Sequence, residues 1–197
     1  MPRIPPVAKQ ELPATYDILE KQADKLPDDV DATFWNRQPT VRVFSNNPGM
    51  GEAHVTANTY MWTETGLSQA ESECIILTVA RELECALLWH DHVMLAIDDE
   101  RLPEAAVRHI AADDPQQLDD SLERLATYVT EYVDTHGAVT DDTHEMLASA
   151  YDEATVIGIV KLTGFYVALS HEVNALQLDR TPFVGWDIEN IEEAEGP

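Results

Sequence analysis

The sequence is poor in basic residues, and in lysine above all. Its 197 residues include 37 acidic residues but only 12 lysines and arginines, which gives a formal net charge of −25. Nucleic-acid binding needs a basic face for the phosphates, so we expect no nucleic-acid partner. The acids are dispersed along the chain and repel one another in dilute buffer. This composition favours a protein adapted to a halophile cytoplasm, with an ordinary acidic protein as the alternative.

Long apolar runs and cysteines are also scarce. Residues 1–13 lack an apolar stretch typical of a signal peptide, and the longest apolar candidate, 155–169, is interrupted by Lys161. We therefore expect a soluble cytoplasmic protein without a membrane contact. Cys74 and Cys85, the two cysteines, would lie ~16 Å apart on one helix, beyond the reach of a disulfide.

The sequence lacks the period-two alternation of strands, and apolar residues recur at helical spacing instead. This pattern predicts an all-α domain over residues 14–180, between a proline-rich N-terminal arm (1–13) and an acidic C-terminal tail (181–197). A capping box at Ser68 and Glu71 predicts the start of a long helix. The predicted helices cover 16–25, 32–44, 50–64, 69–97, 103–112, 116–135, 141–152 and 153–178.

One stretch of the long helix has residue types suited to chemistry. Cys85, Trp89 and His92 stand at positions i, i+4 and i+7, so they share a helix face. A thiol and an imidazole two turns apart indicate thiol or proton-transfer chemistry. A cysteine and a histidine that serve only the core are the alternative.

The same stretch resembles the carboxymuconolactone decarboxylase and alkyl hydroperoxidase D superfamily. Glu73, eleven residues, Cys85, six residues and His92 follow the spacing of that superfamily's core motif, and the run Trp-His-Asp-His-Val-Met-Leu-Ala (89–96) is similar to that of many members. The resemblance implies a helical bundle of about seven to eight helices, with Glu73, Cys85 and His92 as catalytic residues. It also implies a homo-oligomer, a trimer or a hexamer.

The chain departs from the superfamily at several points. Leu88 stands where the hydroperoxidase branch has its second cysteine and where decarboxylase-like members tend to have an acid. A dithiol relay is therefore excluded. In a straight helix Glu73 would lie ~18 Å from Cys85, so the site requires a break near 82–85, although no glycine occurs there.

Three further side chains are candidates for substrate binding: Arg81, Trp89 and Lys161. Arg81 could orient Glu73 or clamp a carboxylate, and Lys161 could do the same from an apolar helix. A surface ion pair for Arg81 and a surface position for Lys161 are the alternatives. We expect no metal, since neighbouring histidines two residues apart point in different directions on a helix, and no cofactor, since phosphate-binding and dinucleotide motifs are absent.

Three functions are compatible with these residues. The first is a decarboxylase-like lyase that acts on a small carboxylate or lactone by proton transfer through His92 and Glu73. The second is a single-thiol antioxidant in which Cys85 is oxidised by peroxide. The third is a non-catalytic oligomeric binder of a small ligand.

Overall fold

Helices account for the regular structure of the protein. The computed structural model describes residues 2–8 and 39–178, and this part of the chain contains eight α-helices and no strand. The predicted all-α class is therefore confirmed. The helices are α1 (Pro39–Phe44), α2 (Pro48–Thr63), α3 (Gln69–Glu82), α4 (Ala86–Asp98), α5 (Glu104–Ala111), α6 (Asp120–Asp134), α7 (Asp141–Ala148) and α8 (Glu153–Leu176).

Helix α3 is the centre of the bundle. It packs against α4, α5, α6 and α8, and every residue from Ser72 to Arg81 is buried. Most of these residues are apolar, as expected of a helix surrounded by others, and the buried charges of Glu73 and Arg81 are paired. The predicted capping box begins it: Ser68 accepts a hydrogen bond from the Glu71 amide, and Glu71 accepts one from the Ser68 amide. The capping box therefore fixes the start of α3, and the four helices packed against it fix its position in the bundle.

The prediction of one continuous helix over 69–97 is wrong, because the chain breaks between α3 and α4. Glu84 adopts a left-handed conformation with φ 49°. The Cys85 amide then donates to the Ala80 carbonyl at 2.9 Å, and the Glu84 amide donates to the Arg81 carbonyl at 3.1 Å. These two bonds form a Schellman motif, which ends a helix without requiring glycine in every case. The break that the candidate site requires is thus present.

Other boundaries differ from the predicted ones by a few residues. The Asn47 side chain caps α2, so Pro48 and Gly49 lie inside the helix and not in a preceding turn. Asp119 caps α6, which therefore starts at Asp120, after a short 3-10 turn at Pro115–Gln117. The predicted helix over 16–25 and most of 32–44 lie outside the described residues. So does the acidic tail.

The described part of the N-terminal arm lies on the body of its own chain. Its residues 2–8 are not helical, and Arg3 donates to the Leu176 and Ala175 carbonyls at the end of α8, at 2.9 and 2.7 Å. The Val7 amide donates to the Arg42 carbonyl of α1 at 3.0 Å. The arm therefore joins the end of α8 to α1.

Helix α8 is the longest helix that the structure describes. Its 24 residues are long and apolar enough to cross a membrane by length and composition alone, contrary to the expectation that no run would qualify. Core helices pass the same test, and α8 buries Leu162, Tyr166 and Leu169 against the rest of the bundle.

Candidate functional site

Glu73 and His92 meet in the interior of the protein. Glu73 is fully buried on α3, and His92 is buried on α4. Glu73 Oε2 lies 2.8 Å from His92 Nδ1. A carboxylate can only accept, so Nδ1 donates, and Nε2 becomes the nitrogen that can exchange a proton with a ligand. The geometry matches a general base oriented by a carboxylate.

The cation that pairs with Glu73 is Arg101. Its Nη1 lies 3.2 Å from Glu73 Oε1, the carboxylate oxygen that does not bind His92. Nη2 of the same guanidinium lies 2.9 Å from Asp99 Oδ2. A buried carboxylate is costly unless it is paired and hydrogen-bonded, and here both oxygens have a partner.

Two aromatic rings flank the imidazole of His92. The Trp62 ring on α2 is nearly parallel to it, with an interplanar angle of 7° and centroids 6.0 Å apart. The Tyr166 ring on α8 meets it edge-on, at 83° and 5.3 Å. The Arg101 guanidinium lies over Trp62, 5.5 Å from the ring centroid. The site therefore combines side chains from α2, α3, α4 and α8 with Arg101 from the loop after α4.

Tyr166 remains protonated in this environment. Burial raises the pKa of its hydroxyl well above the usual value, and the nearby Glu73 carboxylate raises it further. The Trp62 side chain beside the hydroxyl opposes part of this rise in the pKa of Tyr166. The hydroxyl thus keeps its own proton as a donor.

Cys85 is placed at the first turn of the same helix as His92. It precedes α4 directly, is fully buried and forms no disulfide, and neither does the buried Cys74. Burial raises the pKa of the Cys74 thiol to about 12. Cys74 lies on α3 and Cys85 directly precedes α4, so the two cysteines are not on one helix. That Cys85 lines a cavity with Glu73 and His92 stays a prediction.

Two predicted substrate-binding residues lie elsewhere. Arg81 forms ion pairs with Glu82 and, at 2.7 Å, with Asp113, so it does not orient Glu73. Lys161 is exposed on α8 and is not the buried partner of Glu73 that the sequence allowed. Lys161 therefore has the surface position that was its alternative, and Arg101 is the cation that pairs with Glu73. That Arg81 or Lys161 binds a substrate stays a prediction.

Trp89 is fully buried in the hydrophobic core. Its position one turn before His92 on α4 places it beneath the site, and a contact with substrate stays a prediction. A surface pocket of about 350 Å³ lies at another place and contains none of the candidate residues. Its lining includes Asp113, Pro115, Thr127, Thr130, Glu131, Asp134 and Thr135.

The site residues that sequence reasoning missed are Arg101, Trp62 and Tyr166. Arg101 follows three acids, a context typical of a surface loop. The scarcity of basic residues was the available signal, because a chain with so few cations has few partners for a buried acid. No family model and no curated protein matches this sequence.

Proposed function

We propose that the protein is a proton-transfer enzyme of the decarboxylase-like type, acting on a small lactone or carboxylate through His92 and Glu73. The observation that carries this proposal is the 2.8 Å contact between His92 Nδ1 and the fully buried Glu73 carboxylate. A helical bundle of the carboxymuconolactone decarboxylase type belongs to the same proposal. It is supported by the all-α fold and by the break that brings Glu73 to His92.

The reaction needs no oxidant and no reductant. The bond between the substrate carbon and its carboxylate breaks, carbon dioxide leaves, and the electron pair spreads onto the carbonyl oxygen of the lactone. Protonated His92 then delivers its Nε2 proton to the carbon, and solvent restores that proton afterwards. The Glu73 carboxylate stabilises the imidazolium, and Arg101 holds that carboxylate in place.

Tyr166 is the group suited to the developing negative charge. Its hydroxyl is buried beside His92 and stays protonated, so it can donate to an enolate oxygen. A preformed donor in a dry site stabilises such charge more than water does.

The experiment measures carbon dioxide release from carboxymuconolactone and from a panel of unsaturated lactone acids. We expect turnover by the wild type, with one solvent-derived deuterium bound to carbon in each product molecule when the reaction runs in D₂O. Glu73→Gln and His92→Asn should lose turnover by about 100-fold or more, the range for general acid–base catalysis. His171→Asn, at an exposed histidine of α8, is the matched control. Unchanged turnover in His92→Asn would contradict the proposal.

A single-thiol antioxidant is the second candidate. It rests on Cys85 at the N-terminal end of α4, because a helix N-terminus favours a thiolate. The complete burial of Cys85 gives this candidate less support, since peroxide must reach the sulfur. A non-catalytic ligand binder is the remaining alternative.

We also propose that the chain forms a homo-oligomer. Ile157 and Val160 are exposed by 63% and 37% on α8, one turn apart on one face. Apolar side chains exposed in this way are typical of an interface. The mass in solution, measured by light scattering in high salt, tests this proposal, and a monomer would contradict it.

A further inference from the structure

Two buried side chains, one on α2 and one on α8, have polar atoms without a hydrogen-bond partner among residues 2–8 and 39–178. They are Asn58 Oδ1 and Ser170 Oγ. Asn58 is 6% exposed and Ser170 is fully buried. Native proteins satisfy nearly all such groups, so these two require an explanation, and a bound ligand is one that can be tested.

Both side chains lie one helical turn from a ring that flanks His92. Asn58 precedes Trp62 by four residues on α2, and Ser170 follows Tyr166 by four residues on α8. Residues four apart share a helix face. The two polar groups therefore face the same side as the rings that contact the imidazole.

The two helices run in opposite directions over this stretch. Gly158 of α8 meets the Thr65 backbone just beyond the end of α2, whereas Tyr166, further along α8, lies beside Trp62, earlier in α2. A step of four residues towards the start of α2 and a step of four residues towards the end of α8 therefore point in the same direction. Along its own helix, each of Asn58 and Ser170 lies ~6 Å from the residue whose ring contacts His92.

We propose that Asn58 and Ser170 bind the oxygen-bearing end of a small ligand whose reacting carbon lies at His92 Nε2. The identity of the reacting end rests on the proposed function. An amide and a hydroxyl are neutral and can each donate or accept, which suits a lactone carbonyl or ring oxygen. The nearby cation, Arg101, is already paired with Glu73 and Asp99. The site thus takes a compact uncharged oxygen group and not a second carboxylate.

The first test measures the stability of the ligand-free protein. Removing an unpartnered buried polar group relieves its desolvation cost, so Asn58→Leu and Ser170→Ala should raise the urea midpoint. Thr163→Val is the matched control, because Thr163 is a buried hydroxyl on the same helix that does have a partner, the Ile159 carbonyl at 2.8 Å. That variant should not gain stability. A fall in the midpoint of both Asn58→Leu and Ser170→Ala would mean that ordered water alone satisfies these groups, which would overturn the proposal.

The second test measures binding of butenolide, an unsaturated five-membered lactone, by saturation-transfer NMR and thermal shift. We expect binding by the wild type at millimolar concentration, about fivefold weaker in each of Asn58→Leu and Ser170→Ala and unchanged in Thr163→Val. No binding by the wild type, or equal binding by all variants, would overturn the proposal. Glu73→Gln separates the two proposals: it should keep butenolide binding and lose decarboxylation. Binding with the expected losses but without turnover by the wild type would leave this site standing and remove the proposed reaction.

Discussion

Arg101 Nη1 lies 3.2 Å from Glu73 Oε1, although the two residues are 28 positions apart in the chain. Glu73 Oε2 is already bound by His92. The buried carboxylate is therefore held at both oxygens, by a permanent cation on one side and by an imidazole on the other. Arg101 therefore influences the orientation of His92 indirectly, through the Glu73 carboxylate that both residues bind.

Replacing Arg101 by methionine should destabilise the protein by about 3–5 kcal/mol, because a buried carboxylate would lose its cation. Adding Glu73→Gln to Arg101→Met should restore part of this loss, since the unpaired charge is removed. Urea unfolding of the two single variants and the double variant gives the coupling. Arg108→Met, at an exposed pair with Glu104, is the control and should cost no more than about 1 kcal/mol. Additive losses in the double variant would contradict the pairing.

Replacing Gly158 by alanine should cost about 1–3 kcal/mol, because the new Cβ would overlap the Thr65 carbonyl oxygen. It should also lower turnover, since α8 places Tyr166 beside His92. Gly49→Ala is the matched helical control, with its nearest neighbour at 3.8 Å. That variant should be neutral or gain up to about 1 kcal/mol. Thermal melts of the two variants make the comparison, and an equal effect would show that the close approach to Thr65 is not limiting.

His54 should make the protein less stable in mild acid. Burial between Phe44 and Phe165 lowers the pKa of His54 from 6.5 to about 4. The unfolded chain takes up the proton first, so stability falls as the pH drops from about 6.5 to about 4 and then levels off. The difference amounts to on the order of 2–3 kcal/mol.

The variant His54→Phe keeps a ring at this place and has no titrating group. The free energy of unfolding of both proteins at pH 7, 6 and 5, at constant salt, isolates the histidine from the many carboxylates. As the pH falls, the free energy of unfolding of the wild type should decrease relative to that of His54→Phe. A constant gap would show that His54 titrates normally.

Neither thiol should react in the folded protein. Cys74 and Cys85 are fully buried, and the pKa of Cys74 is raised to about 12 by burial, so little thiolate is accessible at neutral pH. We expect slow reaction with a disulfide reagent in high salt and fast reaction after unfolding in urea. Peroxide should produce no internal disulfide. A mass lower by two hydrogen atoms, with neither thiol still reactive, would indicate a disulfide between Cys74 and Cys85. That result would favour the hydroperoxidase alternative.

The melting temperature should rise steeply with potassium chloride. A net charge of −25 destabilises the folded chain through self-repulsion. Screening shortens the Debye length from about 10 Å at 0.1 M salt to about 3 Å at 1 M. Scanning calorimetry across this range measures the effect. A flat profile would remove the halophile interpretation.

The sequence predicted the helices well and their ends less well. The capping box at Ser68 located the start of α3, and apolar spacing over 141–152 located α7. The break before Cys85 was required by the proposed site but had no glycine to mark it. The structure explains why: Glu84, Asp113 and His136 take the left-handed position at helix ends that glycine usually occupies. An acid or a histidine at such a place has no distinctive sequence signal.

Of the five residues Glu73, His92, Arg101, Trp62 and Tyr166, the first two could be predicted. Glu73 and His92 stand at a spacing similar to that of a known superfamily, whereas the other three reach the pair through tertiary packing. Trp62 and Tyr166 depend on how α2 and α8 lie beside α4, and Arg101 depends on the loop after α4, which no local pattern encodes. Arg81 and Lys161 were chosen because they are cations within apolar helices. Helix membership does not decide which side of the bundle a side chain faces.

The link between α3 and α4 consists of three residues, 83–85, and its length sets the rotation of one helix relative to the other. An α-helix turns by about 100° per residue, so a single insertion or deletion here would carry His92 away from Glu73 without changing either residue. The exposed turn over 135–140 does not set the position of His92 relative to Glu73, so it should tolerate added residues. Among diverging descendants of this chain, length changes should accumulate in that turn and be purged from the link.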